Sequence, residues 1–308
     1  MVQTKGTKEF ADNNFNWCYG CNNNCVYCYS KWMAVKFKRI QSESEWEIMR
    51  PNLKITNKKR FKKYDGIIMT PTSHDITEDS IDTGIKLYKK LLETGNELLI
   101  TTKPKSSLIE RLMSELKPFR DQITFRFTIT SFIKDVLKFF EPGAPNFVDR
   151  YKAVSSAFHK GWKTSLLIEP FLDEDPTVLI NQFFYTSGSL DIITDTVWLG
   201  IMNPSFIHYF KDRLPANFLE RYSYENLQKI VNKINNEFPS EIRKKIRLKD
   251  SIKNLGFEIN NKEKINCPYC HRELGNLNEN EAYCCCGHLF FLRKNKQKTL
   301  DIYIKRQN

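Results

Sequence analysis

The feature that most constrains this chain is an alternation of two periodicities. Five short runs, "DGIIMTP" (65–71), "NELLITTK" (96–103), "QITFRFTIT" (122–130), "KTSLLIEPFL" (163–172) and "DTVWLGIMN" (195–203), are nearly continuously apolar and rich in Ile, Leu, Phe, Val and Thr. That is the pattern of strands covered on both faces. Between them apolar residues recur at helical spacing. "SIDTGIKLYKKLLETG" places Ile81, Ile85, Tyr88 and Leu92 on one stripe and stops at Gly95. "SSLIERLMSELKPF" starts at a Ser106 or Ser107 cap and carries Leu108, Leu112 and Leu116. "APNFVDRYKAVSSAFHKG" aligns Val148, Tyr151, Val154 and Phe158 and ends at Gly161. With "NFNWCYG" as a first strand, "VYCYSKWMAVKF" as its helix and "ENLQKIVNKINNEF" (225–238) after the last strand, six βα units are expected. Such an order implies a parallel sheet with right-handed crossovers, either doubly wound or curled into a full or partial barrel. Chemistry then belongs at the C-terminal strand ends. The polar stretch 36–64, with its basic run "NKKRFKK", has no assignable element.

All nine cysteines fall in two clusters: Cys18, Cys21, Cys25 and Cys28 near the start, and Cys267, Cys270, Cys284, Cys285 and Cys286 near the end. A disulfide framework scatters its cysteines through the loops, so clustering points to metal. No run approaches the eighteen or so apolar residues of a membrane helix, and the opening "MVQTKGTKEFADNNF" has no apolar core of a signal peptide. The expectation is therefore a cytoplasmic protein without membrane contact.

Cys21, Cys25 and Cys28 are spaced C-x3-C-x2-C, with Tyr27 directly before the last. Three thiolates on one loop can bind three irons of a [4Fe-4S] cubane and leave the fourth open to a ligand. Counting Cys18, the pattern becomes C-x2-C-x3-C-x2-C, and four thiolates would instead close a cluster or a zinc knot. The three-cysteine spacing, placed after the first strand of a six-unit βα chain, resembles the radical S-adenosylmethionine (SAM) superfamily. The resemblance implies an α/β fold, a partial (β/α)6 barrel over residues 1–259, in which the cluster cleaves SAM to a 5′-deoxyadenosyl radical that abstracts hydrogen. It also implies a low-potential electron donor such as flavodoxin or ferredoxin.

Within the superfamily the chain is most similar to the spore photoproduct lyase-like branch over about 12–240. The matching residues are "CNNNCVYCYS", "TPTSHDI", "TTK", "EPGAPNFVDR" and "IEP". The resemblance implies that Tyr27 and Tyr29 frame the adenine and cluster, and that Thr72, Ser73 and Asp75 bind the methionine amino group or the ribose. Lys103 would meet the carboxylate, Thr130 or Ser131 would contact the cofactor, and Glu169 would supply a polar group at the catalytic face. Glu141 and Arg150 form either a structural pair or part of the cofactor site, and His74 and His208 are weaker acid–base candidates. The lyases that give the branch its name use a cysteine beside the end of strand two as hydrogen donor. Here Met69, Thr70 and Pro71 stand there, so the resemblance reaches the radical generator rather than that repair reaction.

The second cluster, "NCPYCHREL" and "EAYCCCGHLFF", has the spacing of a tetrahedral zinc site. Cys267 and Cys270 form one pair. Cys284 with Cys286 is favoured for the other over Cys285 with His288, and a second iron–sulfur site is the remaining reading. "HLFFLRK" and "TLDIYIKR", separated by "NKQK", read as a hairpin, so 260–308 resembles a zinc ribbon. The chain carries a net charge of +12, of which about +7 lies after residue 240, where fifteen basic residues face eight acidic ones. With Phe290, Phe291 and Tyr303 near Arg293, Lys294, Lys296 and Lys298, this end suggests a nucleic-acid partner, either tRNA or DNA. A protein, peptide or small-nucleotide substrate is the alternative for an enzyme. A non-catalytic iron–sulfur and zinc protein that binds nucleic acid and senses redox state is the alternative from another class.

Overall fold

The computed structural model describes residues 6–184 and 192–261, together with the strands 275–278, 281–283, 289–294 and 300–304. One compact unit comprises residues 1–238 and 242–259, and a second comprises 239–241 and 260–308. The first is built on a seven-stranded sheet: β1 Asn13–Asn14, β2 Ile68–Thr70, β3 Leu98–Thr102, β4 Ile123–Thr128, β5 Lys163–Ile168, β6 Val197–Leu199 and β7 Ile246–Leu248. Every neighbouring pair is parallel, and spatial order follows chain order from β1 to β7. A doubly wound sheet reverses its strand order at a switch point. Unbroken order with right-handed crossovers puts all the helices on one face, so the sheet curls into a partial barrel whose inner face encloses a cavity.

Alternation along the strands sorts the two faces. Ile68, Ile100, Phe125, Phe127, Leu166, Ile168, Val197 and Leu199 are buried in the main core. They pack with apolar residues of α2 (Ile81–Leu92), α3 (Ser106–Glu115), α5 (Phe147–His159), α6 (Pro176–Phe184) and α7 (Tyr224–Glu237). The inner face is mixed: Met69, Thr101, Thr128, Leu167 and Glu169 line the cavity. Phe10, from the segment preceding β1, packs edge-on to Trp198 at 4.7 Å, and Arg126 lies 4.3 Å from its ring centroid. The runs look continuously apolar because helices bury one side and the barrel interior buries the other.

Several elements differ from the sequence expectation. The first strand stops at Asn14, and Cys18–Tyr19 pairs antiparallel with Arg50–Pro51 in a separate ribbon. The chain leaves the sheet because the fully buried Trp17 ring enters the core, where its Nε1–H donates to the Ser80 carbonyl at 3.0 Å. Helix α1 is Tyr29–Lys36, shorter than expected, because Cys28 serves as its N-cap. A seventh strand, β7, was hidden in "KKIRLKD", where charges flank three residues that alternate in burial. Helices α4 (Lys134–Phe140) and α6 were also unanticipated. The buried face of α5 is Arg150, Ala153, Val154 and Ala157, while Val148 is 60% exposed. Apolar spacing misread that helix because its innermost residue is an arginine. The stripes of α2 and α3 are buried as expected.

In the second unit, β8 Gly275–Asn278, β9 Glu281–Tyr283, β10 Leu289–Lys294 and β11 Leu300–Ile304 form an antiparallel meander. β10 and β11 make the expected hairpin, with Phe291 opposite Tyr303. Among the described residues no helix is long and apolar enough to cross a membrane.

Gly84 of α2 faces Trp17 so closely that a Cβ there would lie 2.8 Å from the indole Cζ2. The indole is fully buried and wedged by Tyr88 and His74, so it cannot yield. Gly84→Ala, which in an open helix gains up to about 1 kcal/mol, is expected instead to cost about 1–3 kcal/mol in urea unfolding.

Candidate active site

Cys21, Cys25 and Cys28 lie on the loop between the Cys18–Tyr19 ribbon and α1, and all three line a cavity of about 520 Å³ at the C-terminal ends of the strands. Tyr27, Tyr29, Thr72, Ser73, Asp75, Lys103 and Glu169 share that lining. Thr130 and Ser131 do not: both are fully buried behind the wall. There Thr130 donates to Glu141 Oε1 at 2.8 Å, and Ser131 donates to Asp173. Cys18 also stands apart, packed in the main core, with its backbone N–H donating to His74 Nε2 at 3.3 Å. Cys267, Cys270, Cys284 and Cys286 lie outside the described residues.

Two buried carboxylates hold the cysteine loop. Asp75 accepts from Asn23 Nδ2 at 2.8 Å, from the Ile76 N–H at 2.7 Å, from the Lys103 N–H at 3.0 Å and from the Thr102 hydroxyl. It thereby joins the loop to the segment after β2 and to the end of β3. On the other side, Glu141 pairs with Arg150 at 2.5 Å, both side chains being wholly inaccessible. Glu141 also accepts from the Tyr27 hydroxyl, and Arg150 donates from Nε to the Pro145 carbonyl at 2.7 Å. Burial alone would raise the Glu141 carboxyl, but Arg150, Lys103 and the Tyr27 hydroxyl hold it below the usual range. Removing one partner of such a pair costs about 3–5 kcal/mol, because the other charge is left buried alone. The intervening turn closes against the loop: Gly143 N–H donates to the Asn23 carbonyl at 3.1 Å, and a Cβ on Gly143 would meet the Asn22 carbonyl oxygen at 2.2 Å. The Glu141–Arg150 alternatives thus resolve toward a structural pair that fixes Tyr27.

The loop after β2 is pinned by Asn16. Its Oδ1 accepts from the Thr72 and Ser73 N–H groups at 2.7 and 2.9 Å, and its Nδ2 donates to Thr72 Oγ1 at 2.9 Å. The acid–base candidate His74 is consumed by structure. Nδ1–H donates to the Asp75 carbonyl at 3.0 Å, Nε2 accepts from Cys18, and the ring meets Trp17 edge-on at 4.4 Å. Burial drives its pKa down to about 4. His208 is exposed, with its ring tilted by 38° against that of Tyr209 at a centroid distance of 4.1 Å.

Burial pushes the Cys25 thiol up to about 12 and raises Cys21 and Cys28 too. Cys28 has compensation at the α1 N-terminus, where the Lys31 N–H donates to its Sγ at 3.4 Å. Burial would lower the Lys103 ammonium, but Cys25, Glu141 and Asp75 outweigh it and keep it protonated. Its Nζ lies 5.7 Å from the Tyr27 ring centroid and makes no ion pair among the described residues. Across the cavity Glu169 lies 3.6 Å from Lys249, which pairs with Glu9 at 2.9 Å. Two lining groups escaped the sequence analysis. Trp46 accepts the Cys21 N–H on its carbonyl at 2.7 Å, and among the described residues neither its buried indole N–H nor the Thr101 hydroxyl has a partner. Trp46 lies in the stretch without periodicity, so nothing local marked it.

No three His, Cys, Asp or Glu side chains among the described residues converge on a single metal ion. Three thiols on one cavity wall are a donor set that could hold a [4Fe-4S] cluster. A cation in the same cavity that lacks a carboxylate partner suits the methionine end of SAM.

Above about pH 6.5 His74 is neutral in folded and unfolded chain alike. Between 6.5 and about 4 the unfolded chain takes up a proton that the folded one refuses, so stability falls as the pH falls. The contribution is about 3 kcal/mol. In urea titrations the wild type is expected to lose about that much more than His74→Gln between pH 7 and 4.

No family model matches the chain, and no curated protein matches it. Among solved structures it is similar to a cysteine-to-alanine mutant of spore photoproduct lyase with dinucleoside spore photoproduct, at 18% identity over 70% of this chain with a TM-score of 0.49. A tyrosine-to-phenylalanine mutant of that enzyme gives 17% identity over 70% of this chain, again with a TM-score of 0.49. The chain spans 64% of the length of each of these structures.

Proposed function

We propose that the chain is a radical SAM enzyme acting on nucleic acid. The observation that carries this reading is the meeting of Cys21, Cys25 and Cys28 with the unpaired Lys103 ammonium in one cavity at the C-terminal strand ends. When bound, a [4Fe-4S] cluster and SAM supply a 5′-deoxyadenosyl radical on receipt of one electron from a low-potential donor such as flavodoxin or ferredoxin.

This chain's residues bind, orient and exclude water. Lys103 receives the methionine carboxylate, and Tyr27, fixed through Glu141, and Tyr29 flank the adenine side. Thr72 and Ser73 present a polar rim that Asn16 keeps in register. Asp75 acts by positioning, because protein donors already engage both of its oxygens. Phe10, Met69, Leu167, Ile201 and Met202 line the rest of the cavity with apolar surface, which keeps water from a reactive carbon centre. Glu169, held near Lys249, and the Thr101 hydroxyl are polar groups that can meet substrate. The positive charge of the chain supports a polyanionic substrate over a peptide or free nucleotide. The spacing of Cys267, Cys270, Cys284 and Cys286 supports zinc.

Anaerobic reconstitution followed by elemental analysis is expected to give four irons and one zinc per chain. Dithionite and SAM are expected to yield 5′-deoxyadenosine, whereas a redox sensor would give none. Cys25→Ala is expected to abolish both the cluster spectrum and deoxyadenosine. Lys103→Ala is expected to retain iron and weaken SAM binding about 10- to 100-fold, the loss of one charge-assisted hydrogen bond. A cluster spectrum unaltered by SAM would reject the reading.

A further inference from the structure

The stretch 36–63, which joins α1 to β2, carries ten Lys and Arg against three Glu, a net +7. The rest of the first 240 residues sums to −2, so the positive charge of that part of the chain is concentrated in one insertion. Arg50 pairs with Glu45 at 3.6 Å, and the other nine cations make no ion pair among the described residues. They are exposed, and the structure places several against aromatic rings. Lys36 and Arg39 lie within 6.0 Å of the Phe37 ring centroid, and Lys58 lies 5.0 Å from that of Phe61. The run 58–63 follows the sheet edge, since Phe61 packs edge-on to Phe15 at 5.6 Å and the Lys62 carbonyl accepts from Asn96 at 3.0 Å.

The insertion also builds a groove. A cleft of about 970 Å³ is lined by Tyr19, Tyr29, Arg39, Trp46 and Arg50, with Ser73 at its inner end. Tyr29, Ser30, Trp46 and Ser73 border this groove and the cavity of the three cysteines alike, so the two adjoin across these four residues. Tyr19 and Tyr29 are 52% and 45% exposed, and Phe37, Ile48 and Leu53 are more than half exposed nearby. An isolated basic surface calls only for counterions. Exposed cations on the segment whose Arg39 and Arg50 line this groove, beside the open faces of Tyr19 and Tyr29, match a chain of phosphates bearing unstacked bases.

Resting on the nucleic-acid reading above, we propose that this insertion, rather than the C-terminal basic end, is the docking surface for the substrate, and that the substrate is single-stranded or locally unpaired where it docks. Phosphates run along 36–63, a base stacks on Tyr19, and the next nucleotide reaches the cavity past Tyr29 and Trp46.

The test uses the full-length reconstituted protein and a fluorescein-labelled 20-nucleotide single strand, as DNA and as RNA, titrated across salt concentrations. In one variant Lys38, Lys59, Arg60 and Lys63 become Ser; in a second, Lys294, Lys296 and Lys298 become Ser; Tyr19→Ala is the third. The first is expected to lower the slope of log affinity against log salt by about 3, roughly 0.7 for each phosphate no longer neutralised. Tyr19→Ala is expected to weaken binding about 5- to 100-fold with the salt slope unchanged. All three variants should keep the iron content and the basal deoxyadenosine yield. If the wild type binds the strand and only the C-terminal variant weakens it, the surface is wrong while the nucleic-acid reading stands. If duplex binds as tightly as single strand, the unpaired substrate is wrong. If neither strand binds but anionic phosphatidylserine vesicles do, the surface and the nucleic-acid reading fall together, and the deoxyadenosine yield alone then decides whether the radical chemistry survives.

Discussion

Two buried carboxylates bear the strain of making a reactive loop. A segment with four cysteines and three consecutive asparagines has no hydrophobic reason to hold one conformation, yet a cluster site needs its donors fixed to a fraction of an ångström. Asp75 secures the loop from the β2–β3 side through Asn23, and Glu141 secures it from the β4–α5 side through Tyr27. Each carboxylate is saturated by protein groups, so neither competes with the ligands of the site. The arrangement costs desolvation. It is tolerable because Arg150 pairs with Glu141, and four donors surround Asp75.

The same carboxylates tune the cavity electrostatically. Lys103 sits among Cys25, Glu141 and Asp75, which together keep its ammonium charged in a place where burial alone would discharge it. The thiols feel the opposite pressure. Burial raises all three, and the neighbouring negative groups add to the rise at Cys21 and Cys25.

Sequence reading found the parts of the site that repeat a local pattern and missed those defined by distance. C-x3-C-x2-C, the tyrosine before its last cysteine and the lysine at the end of a strand are all recognisable in a window of a few residues. Asn16, Trp46 and Thr101 carry no such mark. Asn16 matters because it meets Thr72 and Ser73 from 56 and 57 positions away, and Trp46 because a stretch without periodicity folds over Cys21. Thr130 and Ser131 looked equivalent to the other polar strand-end residues, but the β4 end turns them into the wall, where Glu141 and Asp173 occupy them.

What the sequence determined alone is most of the strands and helices and the clustering of three thiols on one loop, because helix and strand periods and short cysteine spacings are properties of near neighbours. Periodicity left open whether the sheet was doubly wound or curled, which only the motif resemblance decided for a partial barrel, and it hid the seventh strand and the inward face of α5. The tertiary structure decided these, since strand order, the pairing of Arg150 with Glu141 and the joining of the basic insertion's groove to the cavity each depend on groups that only folding brings within a few ångströms. No local window contains that information, because the energy that selects it is shared between residues far apart along the chain.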